Sequence, residues 1–326
     1  MSAELQQPTL LTQEQWPLLE TLFHEVFGHT LDRNLLRWKY GPGRGLAAAV
    51  IDHTVPDAPR AVAHCGLIFR RTLVHGRPTN VAQMADLMVA PDERGRLLRQ
   101  GSPFAKAVKF AFEQLGTAHN PGNPQRVIYG FPSQRSMRLG EHLGLVLEVD
   151  KLHEFSWSAQ SGAVPQRLTS PEAKLGEAID GLWREMSQDL AQAQVCVRDG
   201  RYFQARYLEH PTQQYQVHLL TSRWLGRPLA VFALRVDGER LELSDWVAPL
   251  VQTQAMLDAA RAVAAAMGGM PLVTWMGGGH VARLAASAQS TRLLEFRVPC
   301  PADIPPAQVE QLRGRWWLTP GDTDYR

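Results

Sequence analysis

The chain has 326 residues, 44% of them apolar and 20% charged, so it carries enough apolar surface to fold, and its length admits two domains of roughly 100 to 150 residues. Thirty-four Lys and Arg against 32 Asp and Glu leave a formal charge of +2, too weak a field for a protein that neutralises many phosphates, which argues against nucleic acid as the main partner. Cys65, Cys196 and Cys300 are far apart with no C-x-x-C pair, residues 1–8 carry no basic-then-apolar leader, and no apolar run approaches the roughly 20 residues that span a bilayer; a cytoplasmic protein without metal or membrane partner is expected.

Taken in chain order, residues 12–27 place Trp16, Leu19, Phe23, Val26 and Phe27 at helical spacing, with Thr12 as N-cap and Gly28 as stop. The aromatic and basic stretch from Arg37 to Pro42 follows. Three apolar runs at 46–51, 61–70 and 82–89, separated by turn residues such as His75-Gly76, predict a strand meander. Phe104, Val108, Phe112 and Leu115 predict a helix over 103–115. A strand at 127–131, a helix at 133–143 and a strand at 145–155 complete the first half.

Residues 156–170 are rich in Ser, Gln, Gly and Pro, lack apolar periodicity and read as a linker. The second half then repeats the order of elements: a helix at 171–190, the aromatic-basic stretch Arg206-Tyr207, strands at 215–221, 229–236 and 241–247, a helix at 253–267, a strand at 272–275, a helix at 281–288 and a strand at 293–298. Asp86-Leu87-Met88-Val89-Ala90-Pro91 is echoed by Asp245-Trp246-Val247-Ala248-Pro249 at the same place in that order. Two domains are expected, 1–157 and 171–326, joined by a linker at 158–170.

The chemistry concentrates between Asp86 and Phe104. A strand that runs into a basic, glycine-bearing loop and then a helix N-terminus attracts phosphate through free backbone N–H groups and the helix dipole. This run, Val89-Ala90-Pro91-Asp92-Glu93-Arg94-Gly95, resembles the acetyl-CoA motif of the GNAT acetyltransferase superfamily, Val-x-Pro-x-x-Arg-Gly. A second stretch, Tyr129-Gly130-Phe131-Pro132-Ser133 followed by His142-Leu143-Gly144-Leu145, is similar to the strand, capped helix and Leu-Gly-Phe that close a GNAT core. The resemblance covers about residues 12–155, and the second half by element order alone. It implies an α/β protein of the α+β type, with two tandem GNAT-like domains, each a mixed, mostly antiparallel sheet flanked by helices. It further implies that Leu87, Met88 and Val89 face the pantetheine of acetyl-CoA or another acyl-CoA, that Arg94, Gly95, Arg96, Gly101 and Ser102 lie at the diphosphate, and that Ser133 stands where an Asn cap is usual. The reaction implied is acyl transfer to the amine of a small molecule or peptide.

The sequence also departs from that pattern. After Arg94-Gly95 the loop runs through Arg96-Leu97-Leu98-Arg99-Gln100 to Gly101, longer than the family's, and the position of the usual general-acid tyrosine is Gly140. The second half has Pro249-Leu250-Val251-Gln252 in place of the Arg-Gly loop and is expected to bind no CoA. Asp86, on the cofactor strand, is the candidate general base, with a capping or ion-paired carboxylate as the alternative; His64 and His75 are weaker candidates, and Cys65 is read as core. Trp38 and Tyr40 are candidate substrate contacts or core aromatics, in the latter case with Lys39 solvated. Met276-Gly277-Gly278-Gly279-His280 is read as a flexible turn, with a phosphate loop as the alternative. The tail tryptophans Trp316 and Trp317 are expected to dock on the protein, with a homodimer surface also open. Two other activities fit the same features: a non-catalytic acyl-CoA sensor, and an aminoacyl transferase of the peptidoglycan-bridge type.

Overall fold

The computed structural model describes residues 6–55, 57–168 and 173–324. The chain is a mixed α/β protein with two mixed sheets flanked by helices, and it divides into two compact units. Unit 1 comprises Met1–Arg71, Thr79–Val149 and Phe296–Gln311; unit 2 comprises Thr72–Pro78, Asp150–Glu295 and Leu312–Arg326. The units are thus not two consecutive stretches of sequence.

Unit 1 is built from β1 (Gln6–Leu10), α1 (Trp16–Phe27), α2 (Arg33–Tyr40), β2 (Gly45–Asp52), most of β3 (Arg60–Val74) and β4 (Arg77–Val89), α3 (Pro103–Glu113), β5 (Ile128–Tyr129) and α4 (Gln134–His142). It also contains the start of β6 (Val146–Trp157). Its strands run in the order β1-β2-β3-β4-β5, antiparallel from β1 to β3 and parallel between β4 and β5. Local chemistry accounts for the element boundaries. Thr12 and Gln15 form a capping box ahead of α1, and Gly28 ends that helix in the left-handed region at φ 77°. The carboxylate of Asp32 accepts from the N–H groups of Asn34 and Leu35 and starts α2. His75 and Gly76, at φ 49° and 73°, make the tight turn between β3 and β4. The core gathers the inner faces of α1 (Trp16, Leu19, Leu22, Phe23) and α3 (Phe104, Val108, Phe112) with the alanine- and valine-rich β2 and β3.

Unit 2 continues β6 and adds β7 (Gln166–Leu168), α5 (Ala173–Asp189), β8 (Gln194–Cys196), α6 (Gly200–Phe203) with a π-helical turn at Gln204–Leu208, β9 (Gln216–Thr221) and β10 (Pro228–Asp237). There follow β11 (Arg240–Val247), α7 (Thr253–Ala266), β12 (Leu272–Gly277), α8 (Val281–Ala285) and the first part of β13 (Ser290–Pro301). After α9 (Pro306–Leu312), whose first six residues lie in unit 1, the chain returns as β14 (Trp316–Trp317). The sheet order is β13-β6-β12-β11-β10-β9-β7, and β14 pairs with β8, which pairs with the end of β3.

Several expectations need correction. The stretch 156–170 is not wholly a linker: β6 extends to Trp157, and Gln166–Leu168 pairs antiparallel with β9, a pairing set by the neighbouring backbone rather than by any apolar alternation. Residues 169–172 lie outside the described chain. The stretch around Trp38 is a helix, and Lys39 is buried rather than solvated. Trp316 and Trp317 are 0% and 1% exposed within unit 2, so they dock as expected but offer no surface to a second copy.

One glycine in unit 1 has a specific packing reason. A Cβ on Gly66 of β3 would overlap the Tyr40 hydroxyl and ring, so only glycine lets Tyr40 cross the strand. Gly66→Ala is therefore expected to cost about 1–3 kcal/mol by overpacking, seen as a lower thermal midpoint. An unchanged midpoint would show that Tyr40 has room to move.

Candidate functional site in unit 1

The site is organised by an irregularity in β4. The Ala82 N–H reaches Val127 O at 3.3 Å, toward β5, whereas the Ala90 N–H reaches Val62 O at 2.9 Å, toward β3. Residues an even number apart in a regular strand point their N–H groups to the same side, so one residue has been inserted between these two. That residue is Asp86, a non-glycine at φ 46°. The same parity turns the Leu87 and Val89 N–H groups away from β3.

They turn toward an opening. Registered pairing between β4 and β5 covers only Ala82 with Ile128 and Gln83 with Tyr129. Beyond it Gly130 still lies close to Met84, but the chain then leaves β4: the Pro132 carbonyl accepts from the Arg297 N–H at 3.0 Å, and Ser133 bridges to Phe296. The two parallel strands therefore part beyond Met84, and the last residues of β4 border the gap.

A buried polar cluster holds the inserted residue. Asp86 Oδ1 accepts from Lys39 Nζ at 2.8 Å, and Oδ2 accepts from Lys39 Nζ at 3.1 Å and from the Tyr40 hydroxyl at 2.6 Å. The Asp86 carbonyl is met by His64 Nδ1 at 2.7 Å. A carbonyl oxygen only accepts, so Nδ1 carries the ring proton and Nε2 is a bare lone pair. Burial raises the cost of ionising Asp86, but the Lys39 ammonium and the Tyr40 hydroxyl outweigh it and hold the carboxyl below its ordinary range. Burial likewise pushes His64 down and keeps it neutral. Asp86 is thus an ionised carboxylate whose two oxygens are both engaged. Cys65, beside His64 in sequence, is fully buried with its thiol pushed up to about 12, and is inert core.

The remaining sequence candidates lie as follows. Leu87, Met88 and Val89 end β4 at the gap. Arg94, Gly95 and Arg96 belong to a 3-10 turn at Pro91–Arg96 and are exposed, as are Arg99 and Gly101. Arg96 is 3.6 Å from Glu93. Apart from the adjoining residues of the chain, nothing lies within 4 Å of where a Cβ would stand on Gly95 or Gly101. Ser102 caps α3 by accepting from the Ala105 N–H at 3.2 Å, and Ser133 caps α4 by accepting from the Ser136 N–H at 3.2 Å. Trp38 is half-buried, with the Arg70 guanidinium 5.5 Å from its ring centre, whereas Tyr40 is buried against Asp86. His75 sits in the β3–β4 turn, beside Gln194. Gly140 is buried in α4, where an added Cβ would meet Val146 Cγ2 at 2.6 Å. Sequence reading missed Lys39 as the partner of Asp86. The only signal was its place beside Tyr40, and nothing in one dimension says that a helix ending at residue 40 meets a strand at residue 86.

Unit 2 contains the same pair in different surroundings. The Tyr207 hydroxyl donates to Asp245 Oδ2 at 2.8 Å, and Asp245 lies beside a register shift between β10 and β11. Here the chain's own tail closes over the strand. Gly277 at the end of β12 lies against Trp316 O, and Gly321 lies against Ser244 O and the Tyr207 hydroxyl. Arg198 donates to Asp245 at 2.8 Å and to Asp322 at 2.6 Å, and Thr319 joins both carboxylates. Burial and the Asp322 charge leave Asp245 above the ordinary carboxylate range, the reverse of Asp86. Pro249 leads directly through a 3-10 turn at Leu250–Gln252 into α7, with no intervening loop.

Two consequences are measurable. Lys39→Met strands a buried carboxylate and should cost about 3–5 kcal/mol, much of it recovered in Lys39→Met/Asp86→Leu; equal losses in single and double variants would contradict the pairing. His64 has a folded pKa below its unfolded value of about 6.5, so its contribution to stability is complete above that pH and is lost as pH falls toward the folded value. In urea titrations at pH 7 and pH 5, His64→Gln should therefore lose less stability on acidification than the parent, with His218 and His280, also depressed by burial, keeping part of the slope.

No protein-family model matches the sequence, and no curated protein matches it. Solved structures do match over nearly the whole chain. A conserved protein of Enterococcus faecalis V583, described as of unknown function and a probable N-acyltransferase, superposes with a TM-score of 0.66 at 13% identity, over 90% of this chain and 72% of that one. A GCN5-related N-acetyltransferase from Kribbella flavida gives 0.61 at 14% identity, over 91% and 72%. The N-myristoyltransferase of Saccharomyces cerevisiae with bound myristoyl-CoA gives 0.54 at 10% identity, over 91% and 83%. The chain therefore has the fold shared by GNAT N-acetyltransferases and N-myristoyltransferases.

Proposed function

We propose that the protein is an acyl-CoA-dependent N-acyltransferase, with the thioester bound in unit 1 and an amine of a small molecule or peptide as acceptor. The observation that carries this reading is the parting of β4 from β5, together with the inserted Asp86 that turns the Leu87 and Val89 N–H groups to the open side. An extended pantetheine fits an opening of that kind because the strand edge offers it backbone partners. The neighbours, one of them bound to myristoyl-CoA, support an acyl-CoA as co-substrate. Gly95 and Gly101 are exposed and uncrowded, and Arg94, Arg96 and Arg99 of the same loop are exposed too, a combination that suits a diphosphate.

In this reading the acceptor nitrogen attacks the thioester carbonyl carbon, the C–N bond forms and the C–S bond breaks. Strand N–H groups stabilise the charge that develops on the carbonyl oxygen. The ammonium proton leaves through water, while the Asp86 carboxylate, held ionised by Lys39 and Tyr40, favours the positive charge on the nitrogen; the departing thiolate takes a proton from solvent, because Gly140 offers no hydroxyl. Lys39 and Tyr40 position Asp86, and Trp38 offers its exposed part to the acceptor. The amino-acid environment favours a second reading at one point: with no donor at Gly140, binding without turnover is the alternative, and unit 1 would then be an acyl-CoA sensor.

Titration calorimetry with acetyl-CoA is the first test. Saturable binding that weakens tenfold or more in Arg94→Ala is expected from loss of a charge-assisted phosphate contact worth about 1.5–3 kcal/mol; no binding to the parent protein sinks both readings. Thiol release in the presence of an amine panel then separates them. For the enzyme, Asp86→Asn should retain acetyl-CoA binding and lose about 10²-fold or more in turnover.

A further inference from the structure

The run Met276-Gly277-Gly278-Gly279-His280 plays no part in the function proposed for unit 1. Two of its glycines are explained by packing, since Gly277 lies against Trp316 O and Gly279 against Gly314 O. This brings the turn at Gly278–His280 against the segment Arg313-Gly314-Arg315, and α8 adds Arg283. Between them is a cavity of about 310 Å³, open to solvent and lined also by Gln192 and Asp189. That volume lies at the lower end of small-molecule sites, roughly 300–1,000 Å³.

Its lining is strongly cationic. Arg283 and Arg315 have no carboxylate partner among the described residues, and Arg313 adds a third guanidinium. The one carboxylate on the wall, Asp189, spends Oδ2 on the Leu250 N–H at 2.8 Å. His280 stays neutral at physiological pH, with its pKa lowered to about 4 by burial and by the Arg283 charge. It therefore adds no charge of its own and packs edge-on against Trp317. The Arg283 and Arg315 charges brought to one concave surface repel each other, and an anion that accepts from both guanidinium forks at once relieves that repulsion.

We propose that this cavity is a binding site for a phosphate group, free or carried on a small phosphomonoester, held by Arg283 and Arg315 with Arg313 and the Gln192 amide completing the shell. A tetrahedral dianion suits the site better than a lone carboxylate, because it presents enough acceptor oxygens for more than one fork. The site lies wholly within unit 2 and does not depend on the acyl-CoA reading of unit 1.

Calorimetry with inorganic phosphate and with glycerol phosphate, at fixed ionic strength, tests it. One saturable site is expected, weakened at least tenfold in Arg283→Ala/Arg315→Ala and unchanged in Arg227→Ala, whose arginine is exposed and pairs with Glu185 elsewhere on unit 2. Tighter binding of glycerol phosphate than of inorganic phosphate would identify a phosphomonoester as the ligand; equal binding would identify free phosphate. Absence of saturable binding to the parent protein, or parent-like affinity in the double variant, overturns the proposal. Circular dichroism confirms that the double variant folds, and Arg283→Gln alone, expected to lose severalfold in affinity, replaces it if it does not.

Discussion

The buried ion pair between Lys39 and Asp86 is the constraint on which the rest of unit 1 depends. A non-glycine residue at positive φ costs on the order of 1–3 kcal/mol and persists only where its surroundings over-determine it. Here the side chain is held by Lys39 and Tyr40, the carbonyl by His64, and Tyr40 reaches the carboxylate only because Gly66 lets it cross β3. Four residues from two elements, α2 and β3, thus fix one inserted position in β4. Its consequence is geometric: the strand changes which edge its N–H groups face at the level where β5 leaves it.

The second unit shows that the Tyr–Asp pair alone does not make an open site. Asp245 meets Tyr207 as Asp86 meets Tyr40, yet its cation comes from Arg198, and a second carboxylate, Asp322, arrives on the tail. Two buried carboxylates sharing one guanidinium raise the cost of ionising Asp245, whereas one carboxylate facing one ammonium lowers it for Asp86. The tail also places Trp316, Trp317 and Thr319 against β12 and β11, so backbone and buried side chains stand where unit 1 has a gap. This is the structural counterpart of the missing Arg-Gly loop after Pro249.

Basic character is likewise distributed by place rather than by total. A net charge of +2 conceals Arg94, Arg96 and Arg99 on the exposed loop of unit 1 and Arg283, Arg313 and Arg315 around a cavity of unit 2. Arg94, Arg96 and Arg99 already lie close in sequence beside Asp92 and Glu93, whereas only folding brings Arg283 to Arg313 and Arg315.

Periodicity alone located most of the elements. Leu19 and Phe23 mark α1, Phe104, Val108 and Phe112 mark α3, and Met256, Ala260 and Val263 mark α7, because burial on one helical face is a local pattern. The cap at Ser133 and the turn at His75-Gly76 were legible for the same reason. The Val-x-Pro-x-x-Arg-Gly run pointed to the strand-loop-helix segment of unit 1. What one dimension could not supply was whatever depends on pairing between distant segments: the short strands β1, β7 and β14, the return of residues 296–311 to unit 1, the tail against β11, and the partner of Asp86. Hydrogen bonds and ion pairs between segments tens or hundreds of residues apart leave no periodic trace in either segment. The chain by itself therefore determined which apolar faces would be buried, and tertiary structure decided which charges would be buried with them and which of those would meet.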